Sequence, residues 1–549
     1  MTPHRAPRFT PARRPPAPGS TFRTTHPERF TVKKRTGFIA AAVAVAATVV
    51  ITGCSAGSST TATSTDSGSG PVVIARANPS STFDGDLAGC QQTGPLVYDS
   101  LLRFQQDSKA APVDGFASGL EPGLADTYTY DPAALTYTVH IREAAKFSNG
   151  NPVTADDIVW DLGVWKAGTG SGGYYTNILS AEAPDTQTVV FHLGVPDSFF
   201  AYQLTWCNGP IYPKDYAGMT KEAYLQAPIG AGPYKVTSAT DIGGAAEKLV
   251  FEKNPNYWRA SEGYPKASSV TIEAIADANQ RLLQFQNGAV NIITDPDDAQ
   301  RAQVSADQVV TAVPDRVKGY LINAALPQFS DVTVREAISL AINREDIASL
   351  TGGGALAAKS ANSINMPDEV QPTNPYQYDV AKAKSLLAAA GVTTLSVDYL
   401  YNAADTVATA TAQVMQSNLA EVGITLNLKA SDQAGVISAL SSGNYQMGAV
   451  DDWGTSPTNM DPLSPVPVAY WPWTGLDPSG VAADLLAAKS AVTLDDRQTA
   501  LKKIIDAMND QFNFVGVINV ASQYAVQNVS GFVPNIYTAW NFDTFAGTK

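Results

Sequence analysis

Between Leu135 and Arg142 the apolar residues Leu135, Tyr137, Val139 and Ile141 alternate with Thr136, Thr138, His140 and Arg142. Successive side chains of a strand point to opposite faces, so this spacing predicts a half-buried strand. Thr154-Ala155-Asp156-Asp157 then opens a helix, with Thr154 as cap and Asp157 at the third helical position, where its carboxylate reaches back to the cap. Further along the period changes to 3.6. Asp379 precedes Val380, Ala383, Leu387 and Ala390 on one helical face, and Gly391 ends it. Ala408, Ala412, Met415, Leu419 and Val422 form a second stripe as far as Gly423, after which Ile424, Leu426 and Leu428 alternate as a strand. This helix-into-strand succession predicts an α/β domain over about residues 318–510.

A different pattern stands near the start. Lys33, Lys34 and Arg35 precede a 14-residue run, Phe38 to Ile51, made of Ala, Val, Ile and Phe and broken only by Thr48. A spanning helix needs about 20 apolar residues, so the run reads as the core of an export signal. Ile51-Thr52-Gly53-Cys54 follows and resembles the lipobox of bacterial lipoproteins, with Cys54 as the lipidated residue. Acyl CH₂ groups contribute about 0.8 kcal/mol each on burial, so a multiply acylated Cys54 holds a protein on a membrane. Residues 1–53 are expected to be a signal peptide with an extended n-region, unless translation starts at Val32; export by the general or the twin-arginine route stays open. From Ser55 to Gly70 only Asp66 departs from Ser, Thr, Ala and Gly. Such a segment has no apolar surface to bury, so residues 54–71 read as anchor and flexible spacer. The expected location is the outer face of the cytoplasmic membrane.

Charge sharpens this. The 549-residue chain has a formal net charge of −14, yet nine of its 37 Lys/Arg and one of its 51 Asp/Glu fall within residues 1–53. The exported part therefore carries −22, and a surface so acidic excludes nucleic acid as a partner, because binding phosphates requires a cationic face. With 44% hydrophobic and 16% charged residues the composition is globular, and the length allows two or three domains. Once Cys54 is lipidated, Cys90 and Cys207 remain outside the cytosol. A disulfide between them is the preferred reading, the alternative being two separately buried thiols.

Catalytic motifs are absent from the sequence. His4 and His26 precede the signal, and His140 and His192 lie in strand-like segments where a structural role is expected. There is no Walker loop, G-x-S-x-G elbow or H-E-x-x-H site. No enzyme activity, cofactor or metal site is expected; a secreted hydrolase is the remote alternative.

Several segments taken together resemble the extracellular solute-binding proteins of peptide/nickel-type ATP-driven importers. They are Tyr98-Asp99-Ser100-Leu101-Leu102, the stretch Tyr137 to Asp157, Gly230-Ala-Gly232-Pro233-Tyr234, Asn254 to Trp258, Val334 to Arg344 and Tyr378 to Ala383, in the family's order. The resemblance implies a two-lobed α/β fold of the periplasmic-binding-protein type, large class C, with a cleft and a hinge. Residues 72–317 would form lobe I with its sub-domain, 318–510 lobe II, and 511–549 a return to lobe I. Strands near Lys318–Asn323 and Val515–Val520 would form the hinge. Arg335 and Glu336 read as an exposed helix face.

The resemblance also implies ligand residues. Tyr445 to Pro462 is similar to the family's ligand loop, with Trp453 in the place of the Trp that packs on solute. Where peptide binders carry an Asp three residues later for the peptide ammonium, this chain has Ser456. Before the helix that starts near Asp405, the segment Tyr399 to Ala403 lacks the Arg that meets a dipeptide carboxylate. Free dipeptides are therefore disfavoured, with Asp451, Asp452 or Asp461 as substitute anions for longer or modified peptides. Tyr401, Asn402 and Asn323 complete the expected lining, and Trp471 and Trp473 form an aromatic loop at its edge or on a lobe surface. The implied function is a monomeric, membrane-anchored receptor that hands a peptide or other small polar solute to an ABC permease; a ligand-sensing subunit for a membrane receptor is the alternative.

Overall fold

The computed structural model describes residues 69–453 and 481–548, apart from 80–81, 88–89, 91–92, 108–109, 112, 170–171, 206, 208, 315, 363, 366–368, 535–539 and the side chains of 451–453. Cys54 lies outside these residues.

The strand β1 (Val72–Arg76) is a near-continuous apolar run and accordingly sits buried inside a sheet. It pairs in parallel with β10 (Ser269–Ala274) and β11 (Ile292–Thr294), placing Ile74 beside Ile272 and Ile292. These belong to a seven-stranded sheet of order β12-β19-β11-β1-β10-β9-β8. Its other members are β8 (Tyr234–Thr240), β9 (Lys248–Lys253), β12 (Val309–Thr311) and β19 (Gln523–Val526). A four-stranded sheet holds the alternating segment of the sequence as β5 (Thr136–Ile141), between β4 (Ala125–Asp131) and β7 (Thr188–Leu193), with Tyr137, Val139 and Ile141 inward. After it comes α1 (Ala155–Ala167), with the capping box in place: the Asp157 carboxylate accepts from the Thr154 N–H at 2.8 Å.

The second large sheet has six strands in the order β14-β18-β13-β17-β15-β16. It comprises β13 (Arg316–Ile322), β14 (Leu356–Ala357), β15 (Leu395–Asn402), β16 (Ile424–Ser431), β17 (Met447–Trp453) and β18 (Phe514–Val520). The helix α2 (Val332–Leu340) and the predicted helices α3 (Val380–Ala389) and α4 (Thr406–Glu421) cover it. On α4, Ala408, Ala412, Met415 and Leu419 all face the core that also receives Val397 and Tyr399. Because β15 and β16 run parallel, a crossover must join them, and α4 is that crossover.

Two expectations change here. All seven residues of β18 are buried, and β18 pairs with both β13 and β14. It therefore completes the six-stranded sheet rather than beginning a return after residue 510. The chain passes between the large sheets at 312–315 and 521–522, so the interiors of β13 and β18 are sheet and not hinge. Arg335 is not on an exposed face either. It is 7% exposed, and its guanidinium donates to the carbonyls of Gln511 at 2.8 Å and Phe329 at 2.7 Å. A buried cation is tolerable when backbone oxygens replace its water. Glu336 stays partly exposed and pairs with Lys382 at 2.8 Å.

The C-terminal residues return to the first sheet. Trp540, Phe542 and Phe545 join Val72, Ile74 and Tyr234 in one core. Asp543, 1% exposed, takes Arg103 through two hydrogen bonds of 3.1 and 3.0 Å, Arg259 at 2.7 Å and the Tyr257 hydroxyl at 2.9 Å. Burial alone would raise the Asp543 carboxyl, but the two guanidiniums and the phenol hold it down at about 2. Cys90 and Cys207 form a disulfide with Cα atoms 5.6 Å apart, closing a separation of 117 residues.

Candidate functional site

The two chain passages run side by side. On one flank β12 pairs with β19, Thr311 opposite Gln523; on the other β13 pairs with β18, Arg316 opposite Val520. The edge of the six-stranded sheet that faces these passages collects several element ends. β13 begins there at Arg316, β17 ends there with Trp453 opposite Val317, and β15 ends at Asn402. Three residues later Asp405 caps α4, accepting from the N–H groups of Val407 at 2.8 Å and Ala408 at 3.0 Å.

At this edge lies a cavity of about 400 Å³, lined on the side of the second sheet by Arg316, Lys318, Val520 and the helix cap Asp405, and on the side of the first by Gln523, Asp295 just past β11 and Arg301 of a short helix. Its lining is charged in both senses. Lys318 Nζ lies 2.7 Å from Asp405 Oδ2, with the two side chains only 15% and 22% exposed. Burial pushes the Asp405 carboxyl up. The Lys318 ammonium and the helix N–H groups more than offset it, so the acid stays below the usual carboxylate range. Arg316 Nη2 donates to Ser522 Oγ at 3.2 Å, and Arg301 binds the Pro296 carbonyl and the Asp298 carboxylate. Behind the cavity Arg76 is buried. Loss of water lowers its guanidinium to about 10, against the pull of Glu247, Asp295 and Tyr524.

The roof is glycine for a reason. Gly352 and Gly353, which line it, have φ of 65° and 60°, the positive range that side chains disfavour. A Cβ on Gly353 would also come within 2.7 Å of the Gln523 side-chain oxygen across the gap. Backbone from one sheet and an amide from the other thus approach closely at the cavity's rim.

The expected ligand residues divide. The strand positions of Asp451, Asp452 and Trp453 lead to the cavity edge through β17. Ser456, Asp461, Trp471 and Trp473 lie outside the described residues. Asn402 stands at the same edge, but its oxygen accepts from the Ala404 N–H at 3.0 Å and its amide donates to Gln433 at 3.2 Å, closing a turn. Tyr401 is 8% exposed and stacks on Tyr399 at 6.2 Å. Val397, Tyr399 and Tyr401 share the inward face of β15, which removes Tyr401 from the lining. Asn323 also leaves it. That residue follows the far end of β13, where Ile322 pairs with Met447, roughly 17 Å of strand from Val317. Its amide, 2% exposed, donates to the carbonyls of Gly443 and Tyr445 at 3.1 Å each. Asn323 staples a turn.

Sequence reading missed Arg316, Lys318, Asp295, Arg301 and Gln523, and saw Asp405 only as a helix start. Spacing carries no signal for Lys318 and Asp405, which meet from positions 87 apart. What the assembled groups offer chemically is recognition: guanidinium, ammonium, carboxylate and amide groups of both charge signs converge on one solute-sized space.

A model of the bacterial extracellular solute-binding proteins, family 5, matches residues 119–468. The glutathione-binding protein GsiB of Salmonella typhi is 26% identical over 505 residues, covering 86% of this chain and 93% of that protein. Two solved structures share the two-lobed fold. HbpA2 from Haemophilus parasuis gives a TM-score of 0.74 at 21% identity, covering 87% of this chain and 100% of that one. The periplasmic binding protein DppA from Helicobacter pylori, in complex with the peptide STSA, gives 0.68 at 22%, covering 87% and 98%. The matched family segment spans well over half of the sequence, and the chain belongs to the bacterial extracellular solute-binding proteins of family 5.

Proposed function

We propose that this protein is a receptor tethered through Cys54, which captures a peptide or other small polar solute and delivers it to an ABC import permease. The observation that carries the reading is the charged cavity at the two passages, where both sheets supply lining residues. A solute bound there contacts both halves and so favours the arrangement in which they lie together. On this reading lobe I comprises residues 69–311 and 523–548, lobe II residues 316–520, and the hinge the short passages between them. Trp453, ending β17 at the cavity edge, is assigned to solute contact, with Ser456, Asp452 and Asp461 on the loop it starts. Peptide-sized cargo agrees with the ligands of two similar proteins, glutathione for GsiB and the peptide STSA for DppA. Ser456, and the absence of Arg from Tyr399 to Ala403, argue against free dipeptides.

The test is native purification with mass spectrometry of co-bound small molecules, then thermal shift over glutathione, tri- to pentapeptides and oligosaccharides. A true ligand at 100 times its Kd adds about 2.7 kcal/mol. Trp453→Ala should weaken that ligand by about tenfold, the loss of one stacked ring. If no solute co-purifies and no compound stabilises the protein, the receptor reading fails; strong stabilisation by free dipeptides would overturn the reading of Ser456.

A further inference from the structure

A helical hairpin, α5 (Ala482–Ser490) and α6 (Leu494–Asn509), lies between the six-stranded sheet and the four-stranded sheet of the other half. Its attachment to the six-stranded side is extensive. Val481, Ile504 and Met508 pack with Val317, Leu321 and Phe514. Asp506 accepts from the Thr373 N–H at 2.6 Å and hydroxyl at 2.7 Å, Asn509 donates to the Asn374 carbonyl at 2.7 Å, and α6 runs on into β18.

The opposite side is built differently. The last carbonyls of a helix have no partner within it. Here two of those of α5 take partners from the other half: the Lys489 carbonyl accepts from the Ser198 N–H at 2.7 Å and the Tyr130 hydroxyl at 2.9 Å, and the Ala488 carbonyl, which also accepts from the Ala491 N–H at 3.3 Å, accepts from Ser198 Oγ at 3.0 Å. Ala488, Ala500 and Leu501 supply the apolar contact, and Arg497 reaches the Tyr202 hydroxyl at 3.4 Å. Two alanines, one leucine and carbonyls that water can also satisfy cost less to expose than the anchored side, where Val481, Ile504 and Met508 pack on the sheet and Asp506 and Asn509 bond to residues 373 and 374.

We propose that this hairpin is a closure latch: it moves with lobe II, and Tyr130 and Ser198 of lobe I cap the end of α5 only when the lobes are shut. The inference rests on the two-lobed receptor reading, and it adds residues that set affinity without touching solute.

The test compares the full chain with Tyr130→Phe/Ser198→Ala and with Tyr137→Phe. The control removes a 3.0 Å hydrogen bond from the Tyr137 hydroxyl to the Asp197 carbonyl inside lobe I and leaves α5 untouched. In protein still carrying its co-purified solute, exchange of backbone N–H groups at residue 198 and across 488–491 should be about tenfold faster in the double variant than in wild type, as expected for the two hydrogen bonds lost to α5; the third bond lost, from the Asp197 N–H to the Tyr130 oxygen at 2.9 Å, lies inside lobe I, where the exchange of residue 197 reads it separately. The control should match wild type, and the contacts of Asp506 with Thr373 should stay protected in all three. Equal exchange in double variant and wild type overturns the latch. So does joint loss of protection at Thr373, since the hairpin would then not belong to lobe II. Small-angle scattering separates the two readings. A wild-type radius that does not change when solute is stripped overturns the receptor reading and the latch together. A radius that changes in wild type, with no added opening in the double variant, overturns the latch alone.

Discussion

Replacing Asp543 by Asn tests how the C-terminal segment is held. The substitution keeps the shape of the side chain and removes its charge, leaving Arg103 and Arg259 facing each other at a site that Asp543 occupies at 1% exposure. The depression of the carboxyl from 3.8 to about 2 corresponds to linkage on the order of 2 kcal/mol. Stranding the partners of a buried pair adds to this, and such breakages cost about 3–5 kcal/mol. Urea unfolding at neutral pH should therefore show Asp543→Asn less stable by about 3–4 kcal/mol, with an unchanged slope. The acid dependence follows from the direction of the shift. Because the folded acid is the stronger one, its contribution is complete above pH 4 and disappears as pH falls towards 2. The variant should lack that part of the wild-type acid transition. A loss below about 1 kcal/mol, or identical acid limbs, would refute the argument that this carboxylate ties residues 540–547 to lobe I.

Cys90→Ser/Cys207→Ser should lower stability by roughly 2–5 kcal/mol, because the disulfide closes a long loop in the unfolded chain; an unchanged urea midpoint in reductant would contradict this. Asp405→Asn retains a capping side chain but strips Lys318 of its counter-charge. It should cost about 1 kcal/mol at pH 7, with a loss that narrows as the solution is acidified through the depressed range of the wild-type acid. Equal stability at both pH values would show that the pair contributes nothing. Cys54→Ser should move the protein from the membrane fraction to the medium, and retention on membranes would rule out the lipid tether.

Local patterns carried the elements well and the site poorly. The alternation around Tyr137 to Ile141 and the stripe from Ala408 to Leu419 became β5 and α4 because each depends on burial of one face of one element. Asp157 and Asp379 were legible as cap residues for the same reason, since caps act within three residues. Asn323 and Tyr401 misled because their neighbours in sequence lie near functional segments, while register sends one to the far end of β13 and pleat sends the other into the core. Arg335 looked like a surface cation. The carbonyls that bury it come from residues 329 and 511, and no spacing announces that meeting. Lys318 and Gln523 converge for a topological reason, since each stands beside a crossing between the sheets, while Asp295 and Asp405 reach the same cavity just past the ends of β11 and β15.

That double crossing also dictates an order of assembly. β11 and β12 flank β19 in the first sheet, yet β19 is Gln523–Val526, close to the end of the chain. During synthesis almost everything else is made before those two strands can find the one that joins them. This edge of the sheet thus cannot be completed early, and pairings between such distant segments form slowly. Five strands, β11, β1, β10, β9 and β8, can pair among themselves beforehand, but β12 has no place in the sheet until β19 joins it to β11.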